Sequence, residues 1–464
     1  MKILLVVYDN DSYIHWFPHG LAYIAAALKE HDVVVYNKDI YHYPEEHLTD
    51  YLNKNHFDVV GMGVIAGYWQ YQELLRVSRA INNSKQKPFF VLGGHGVSPE
   101  PLYFLEKTKA DAIVIGEGDE TIVELIDVIQ NRDILADVKG IAYKTDWGYN
   151  GGVFYYVNER RKQIQDIDSL PFPAWDKFPI DYYSLIREPH IKNNERCMPV
   201  ITARGCPFKC NFCYRMEKGV RLRSVESIVE EISILKKDYH ISYVTFTDEL
   251  LMTSEKRTDA LCEAFMDLKI RWSCNGRLNF ATPEIIRKMK RAGCVFINYG
   301  IECLDDQILE NMNKKLTVEQ IHKGIKTTLQ EGVSPGFNII FGNIGENKKT
   351  LQAGVDFLLR YDDHSQLRTI RPVTPYPGSD LYYLAIEQGL LRGVEDFYER
   401  KHMNSDLLSV NFTELSDDEF NSCLFEANKT LIENYHNHLK EQQIKQFKNL
   451  YFNKDYSFRG LRQT

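Results

Sequence analysis

The sequence predicts an α/β protein of two successive wound units, a doubly wound parallel sheet and then a partial (β/α)6 barrel of the TIM type, followed by a helical C-terminal segment. Three observations predict it. Short β-branched apolar runs alternate with helix-period patterns over most of the chain. The alternation is interrupted once, by a stretch rich in Gly and Pro. And 464 residues exceed what one hydrophobic core comfortably serves, so two or three domains are expected.

In the first unit, residues 1–144, the apolar runs fall at 3–8, 33–36, 59–64, 89–92 and 113–115, with helical patterns at 21–28 and 71–81 between them. The last two strands end in Gly93-Gly94-His95-Gly96 and Gly116-Glu117-Gly118-Asp119. In open α/β sheets ligands sit beyond such carboxyl ends, where small residues let a bound group approach the backbone. Residues 145–197 read as a linker with a small hairpin, marked by Gly151-Gly152 and by LPFPAW at 170–175.

The second unit, 198–390, has strand patterns near 200–203, 243–247, 272–275, 295–299, 337–341 and 369–373. Ser224 can cap the first intervening helix, and Ile228, Ile232 and Leu235 recur on one of its faces. A barrel of this kind carries its active site at the carboxyl ends of its strands. Residues 391–464 read as helical and polar, ending in a tail that mixes Lys448, Lys454, Arg459 and Arg462 with Tyr451, Phe452, Tyr456 and Phe458.

Composition narrows the function. A formal net charge of −8 gives no broad basic field, so no nucleic-acid partner is expected and a small-molecule substrate is. No uncharged apolar stretch is long enough to cross a bilayer, which predicts a cytoplasmic protein without a transmembrane segment. Of nine cysteines, three fall within eight consecutive positions, the pattern of a metal site in a reducing compartment and not of a secreted disulfide framework.

Those three are Cys206, Cys210 and Cys213 in RGCPFKCNFCY, spaced Cys-x3-Cys-x2-Cys. Thiolates are the usual ligands of iron–sulfur clusters, and a cubane with four irons ordinarily takes four; three leave one iron open to a substrate. A structural zinc site would need a fourth Cys or His at ligand spacing, and none follows.

The motif, with Phe212 before its third cysteine, resembles the signature of the radical S-adenosylmethionine superfamily. The resemblance implies a [4Fe–4S] cluster on Cys206, Cys210 and Cys213 that binds S-adenosylmethionine and reductively cleaves it to a hydrogen-abstracting deoxyadenosyl radical. It further implies that Phe212, Asp248 and Glu249 after the second barrel strand, Arg277 after the third, Glu302 at the end of the fourth and Gly342 after the fifth bind S-adenosylmethionine. PHGLAYIAAAL, VLGGHGVSP, VIGEGDET and LPFPAWD together resemble the cobalamin-binding branch of this superfamily, over roughly four fifths of the chain. The implied first unit is then Rossmann-like and holds cobalamin through Asp11, Val64, Tyr68, Gly93, Gly94, His95, Glu117, Gly118 and Asp119. Neither His15 nor His19 lies in an Asp-x-His-x-x-Gly motif, so no histidine is assigned to cobalt. A sheet of the same fold with no cofactor is the alternative for this unit.

No cysteine precedes Cys197 and only Cys423 lies beyond Cys303, which leaves no ligands for the additional clusters of methylthiotransferase-like or peptide-maturing relatives. Cys262, Cys274, Cys294 and Cys303 fall in strand or helix patterns as small hydrophobes. The expected activity is methylation of an unactivated carbon in a small molecule or lipid, with an electron donor such as flavodoxin or ferredoxin. The alternatives are oxidative rearrangement, cyclisation or carbon–carbon coupling with the same cofactors, and a non-enzymatic cobalamin or electron-transfer module, against which the open iron weighs. No catalytic acid or base is assigned. Methyl transfer requires the strand ends of the two units to face each other around a cavity bordered by His95, Glu117, Phe212, Glu302 and the loop beginning at Pro375.

Overall fold

The computed structural model describes residues 1–145, 152–188 and 190–458; Gly151, Arg459 and Arg462 lie outside the described residues. Strands β1 (Lys2–Val7), β2 (Asp32–Asn37), β3 (Val59–Gly63), β4 (Phe89–Gly93), β5 (Ala112–Val114), β6 (Ile141–Thr145) and β7 (Phe154–Val157) form one sheet in the order β2-β1-β3-β4-β5-β6-β7. The first five are parallel; β6 and β7 add antiparallel. Ile3, Leu5 and Val7 are buried with helices His19–Ala27 and Asp119–Asn131 on one face. Leu4 and Val6 are buried with helices Glu45–Lys54, Tyr68–Asn83 and Pro101–Thr108 on the other. Burial on both faces is why these strands read as continuous apolar runs. The antiparallel pair β6–β7 extends this sheet past residue 144.

The rest of that stretch is a packed strap. Ala174 N donates to Ala22 O at 3.0 Å, and Phe17 meets Trp175, Phe178 and Tyr183 at ring separations of 4.8, 5.2 and 5.5 Å. Its apolar residues bury the outer side of helix His19–Ala27 and join the core of the first unit to that of the second.

The second sheet is parallel throughout, in the order β15-β14-β13-β12-β11-β8: β8 (Cys197–Val200), β11 (Tyr243–Phe246), β12 (Arg271–Gly276), β13 (Cys294–Glu302), β14 (Ser334–Phe341) and β15 (Arg371–Pro372). The strand expected near 200–203 divides in two. β8 enters the barrel, whereas β9 (Ala203–Cys206) pairs antiparallel with β10 (Gly219–Leu222) in a separate hairpin. Cys274, Ile297, Tyr299, Phe337 and Ile339 pack beneath the outer helices. On the opposite face, Asn275, Asn298 and Asn338 form a ladder: Asn298 Nδ2 donates to Asn275 Oδ1 and Asn338 Nδ2 to Asn298 Oδ1, each at 3.1 Å.

After β15 the chain crosses back to the first unit. Tyr398 lies 4.7 Å from Tyr71 and 5.7 Å from Phe104, ring to ring, and Lys107 pairs with Glu399 at 2.7 Å. Helix Asp417–Asn453 then returns to the barrel, burying Phe420, Leu424, Ala427 and Leu431.

Candidate active site between the two sheets

The β9–β10 hairpin carries all three clustered cysteines on its strand end and tip. Cys206 ends β9, and Cys210 and Cys213 stand in the connecting loop. That loop is held on both sides by backbone. Asn211 N donates to Met312 O (3.1 Å), Asn313 Nδ2 to Lys209 O (2.7 Å), and Leu381 N to Asn211 O (2.9 Å). Burial raises the Cys206 thiol and pushes Cys213 up to about 12, with the neighbouring sulfurs adding to both shifts. The loop and the strand end it leaves offer three thiols, one fewer than a cubane with four irons ordinarily takes, so a cluster held here keeps one iron open.

Beneath the loop lies a buried polar cluster. The Arg277 guanidinium sits 3.6 Å from the Phe208 ring centroid and donates to the carbonyls of Lys314 and, at 2.8 Å, Lys315. Burial lowers its pKa, opposed by the Cys210 and Cys206 sulfurs, which puts the guanidinium in the field of the cysteine loop. Lys314 Nζ donates to Glu302 Oε1 at 2.7 Å and lies 5.8 Å from the Phe212 ring. Gly300 leaves the space, since a Cβ there would collide with both the carboxylate and the ammonium. Glu302, Arg277 and Phe212 are thus brought together, and Lys314 joins them without having been marked in the sequence.

The other positions divide. Asp248 is buried with its carboxylate taken by Thr202 N (2.6 Å), Ala203 N (2.8 Å) and Thr202 Oγ1 (2.9 Å), so it anchors the backbone entering β9. Burial outweighs those bonds and moves its pKa up to about 6. Glu249 opens to solvent beside Cys206, whose thiol feels its charge. Gly342, at φ +108°, turns where a Cβ would come within 2.9 Å of Phe420, and its N–H donates to Glu346 Oε2 at 2.8 Å.

In the first unit, the flanking of β1 by β2 and β3 creates a switch point, and the loops after β1, β3 and β4 converge at it. Gln70 Nε2 donates to Asn10 Oδ1 (2.8 Å), Val64 N to Gly93 O (2.9 Å) and Gly96 N to Val64 O (2.9 Å). Gly94, at φ +93°, approaches so closely that a Cβ would lie 2.6 Å from Val64 O. Asp11, Val64, Tyr68, Gly93, Gly94 and His95 therefore stand on one carboxyl edge. Glycine at 94 lets the loops after β3 and β4 pack backbone to backbone on that edge. The His95 ring lies 6.4 Å from Tyr214, one residue beyond Cys213, and surrounding protein lowers its pKa.

Glu117 and Asp119 face the hairpin and are engaged by it. Arg204 donates to both Asp119 oxygens (2.7 and 3.0 Å) and to Glu117 Oε1 (3.0 Å), and its cross-strand neighbour Arg221 donates to Glu117 Oε2 (2.6 Å). Gly118 lies between them at the start of helix Asp119–Asn131. The turn after Pro375 completes the junction: a Cβ at Gly378 would come 2.5 Å from Tyr214 and 2.9 Å from Pro99. Neither arginine could have been paired with its partners from sequence, since the contacts span 85 to 104 positions.

Comparison with known proteins agrees with this layout. The B12 binding domain family matches residues 6–126 and the Radical SAM superfamily residues 200–358. An uncharacterized methyltransferase of Pyrococcus horikoshii is 31% identical over 432 residues, covering 88% of this chain and 90% of its own. The anaerobic magnesium-protoporphyrin IX monomethyl ester cyclase of Rubrivivax gelatinosus is 26% identical over 382 residues, 79% of this chain and 66% of the cyclase. In fold, the chain resembles the radical S-adenosylmethionine methyltransferase TsrM from Kitasatospora setae, solved with cobalamin and a [4Fe–4S] cluster, at a TM-score of 0.67 and 18% identity over 84% of this chain and 75% of TsrM. The chain belongs to the cobalamin-dependent radical S-adenosylmethionine enzymes, whose cofactors are a [4Fe–4S] cluster, S-adenosylmethionine and cobalamin.

Proposed function

We propose that this enzyme methylates an unactivated carbon of a small molecule or lipid held between the cysteine hairpin and the carboxyl edge of the first sheet. The observation that carries the proposal is the facing of these two edges, with His95 opposite Tyr214 and the hairpin clamped to the β5 loop through Arg204 and Arg221. A related methyltransferase that matches nearly the whole chain supports it. When bound, the cluster with S-adenosylmethionine supplies hydrogen abstraction, and cobalamin supplies the methyl group.

In this reading Cys206, Cys210 and Cys213 hold the cluster. Phe212, Glu249, Arg277, Glu302 and Gly342 position S-adenosylmethionine, with Lys314 keeping the Glu302 carboxylate oriented and Asp248 fixing the hairpin's root. Asp11, Val64, Tyr68, Gly93, Gly94 and His95 border the cobalamin site, while Glu117, Gly118 and Asp119 set the distance between the units. The Asn275–Asn298–Asn338 ladder offers amide groups to a substrate in the half-barrel. The units are 1–144, with the β6–β7 hairpin appended, and 198–390, joined by the 145–197 strap and followed by 391–464. A cytoplasmic location with a flavodoxin- or ferredoxin-type electron donor fits, and among the described residues no helix is long and apolar enough to cross a membrane.

The test is anaerobic incubation of the reduced, cluster- and cobalamin-loaded protein with S-adenosylmethionine bearing a deuterated methyl group and a small-molecule extract of its own cells. Methyl transfer predicts S-adenosylhomocysteine and 5′-deoxyadenosine together, with the deuterated methyl intact in a product. Deoxyadenosine with an unmethylated, oxidised or cyclised product would establish the rearrangement reading instead.

A further inference from the structure

Away from the cysteine hairpin, the loop after β1 and the turn after β2 bring together a second set of ligand-type side chains: Asp9, His15 and His42. One donor atom from each lies within 4.8 Å of the other two. The Asp9 carboxylate stands between the rings, with Oδ2 2.8 Å from His42 Nδ1 and Oδ1 3.6 Å from His15 Nε2, and the ring centroids are 6.0 Å apart. Asp11 N donates to Asp9 Oδ1 at 2.7 Å and holds the carboxylate in this orientation.

Hydrogen bonding within the protein leaves this arrangement incomplete. His15 is only 4% exposed, and its Nε2, directed into the group, is buried without a hydrogen-bond partner among the described residues. Behind it Asp39 is fully buried. Its Oδ2 accepts from Tyr183 at 2.7 Å, while Oδ1 has no partner among the described residues. An imidazole nitrogen left unpaired in the interior is costly, and a cation held with Asp9 and His42 answers it at His15 Nε2. His42, held at φ +50°, has a side chain 42% exposed, so an ion there has an entry path and room for water in its remaining positions.

We infer that Asp9, His15 and His42 form a mononuclear site for a divalent transition ion of the zinc or iron(II) class, separate from the cysteine cluster. Two imidazoles and one carboxylate are a donor set suited to those ions, and three protein ligands leave open coordination positions. Calcium or magnesium would call for an oxygen-rich shell that this site does not present. The bound ion ties the loop between β1 and helix His19–Ala27 to the turn after β2, and that loop borders the switch point of the first sheet. The inference does not depend on the methyl-transfer proposal.

The experiment uses the full chain, loaded with cluster and cobalamin, stripped of loosely held metal with a chelator and titrated anaerobically with Zn2+ and, separately, with Fe2+. Elemental analysis after gel filtration reads the bound ion. The expected result is one additional ion per chain, with affinity weakened at least about tenfold in His42→Ala and in Asp9→Asn. Both variants should keep the wild-type circular dichroism and iron–sulfur absorption, and His42→Ala, being at the surface, separates ligand loss from misfolding. A Cys206→Ala/Cys210→Ala/Cys213→Ala variant must still bind the ion. Absence of a tight additional ion in the wild type, unchanged binding in both His42→Ala and Asp9→Asn, or loss of binding only in the cysteine variant would overturn the inference.

Discussion

Glu346 holds the turn that closes β14: its Oε2 accepts from Gly342 N and Asn343 N, each at 2.8 Å, and Cys303 Sγ donates to Oε1 at 3.3 Å. Burial at 4% exposure outweighs these bonds and raises its pKa to about 7. The folded state therefore holds this proton more tightly than the unfolded chain does. The resulting stabilisation is complete below the unfolded carboxyl value near 4.5 and is lost as pH rises through about 7. Across that window the residue should cost roughly 3 kcal/mol of stability, since one pKa unit is about 1.4 kcal/mol. Glu346→Gln, which cannot ionise, should flatten that part of the stability–pH profile. Denaturant titrations of both proteins between pH 5 and 8 provide the check, and parallel profiles would show that Glu346 does not titrate in this window.

At the scale of elements, the barrel helices and the long C-terminal helix begin where side chains satisfy their free N–H groups. Ser224, Ser254, Thr282, Asp305, Thr317, Asn347 and Ser416 each accept from a backbone N–H of the first turn. Thr317 and Gln320 form a reciprocal box, with Gln320 N donating to Thr317 Oγ1 (3.2 Å) and Thr317 N to Gln320 Oε1 (3.0 Å). Thr317→Ala should cost about 1 kcal/mol, read as a lower denaturation midpoint at unchanged slope. An unaltered midpoint would mean that packing of Ile321 and Ile325 alone fixes this helix. Such a signature made the start of the first barrel helix legible at Ser224. Helices His19–Ala27, Glu45–Lys54, Tyr68–Asn83, Pro101–Thr108 and Asp119–Asn131 have no side-chain cap, so their starts had no comparable local signal. Strand positions in the first unit were readable because apolar runs reflect burial on both faces, and in β12, β13 and β14 because apolar residues alternate with Asn275, Asn298 and Asn338. The β9–β10 hairpin was not, because four-residue strands such as Gly219–Leu222 carry little periodicity and their pairing is decided by tertiary contacts. The cysteine motif is local and was legible whole; Lys314, Arg204 and Arg221 acquire their roles only through residues brought near by the fold.

At the scale of the molecule, two kinds of contact set how the sheets face each other. One is apolar and broad: the strap around Trp175 and Phe178 joins the two cores, and Tyr398 packs the C-terminal segment against Tyr71 on the far side of the first sheet. Such packing holds the units together but tolerates small sliding. The other is polar and directional, the Arg204 and Arg221 pairs with Glu117 and Asp119, all of them largely shielded from solvent. A bidentate guanidinium pair adds geometric restraint as well as energy, and it sits two residues from Cys206. Replacing Arg204 with Met keeps much of the side-chain volume, strands the Asp119 carboxylate and leaves the apolar strap intact. We therefore expect Arg204→Met to fold with both sheets protected, but to exchange amide hydrogens faster at 203–222 and 115–119 than the wild type. Cluster content should stay at about four irons per chain, because the ligands are retained. The yield of methylated product per deoxyadenosine should fall, because hydrogen abstraction needs only the hairpin and barrel, whereas methyl transfer also needs the first sheet at a fixed distance. Unchanged exchange at the hairpin with unchanged coupling would assign the alignment of the two units to the apolar strap alone.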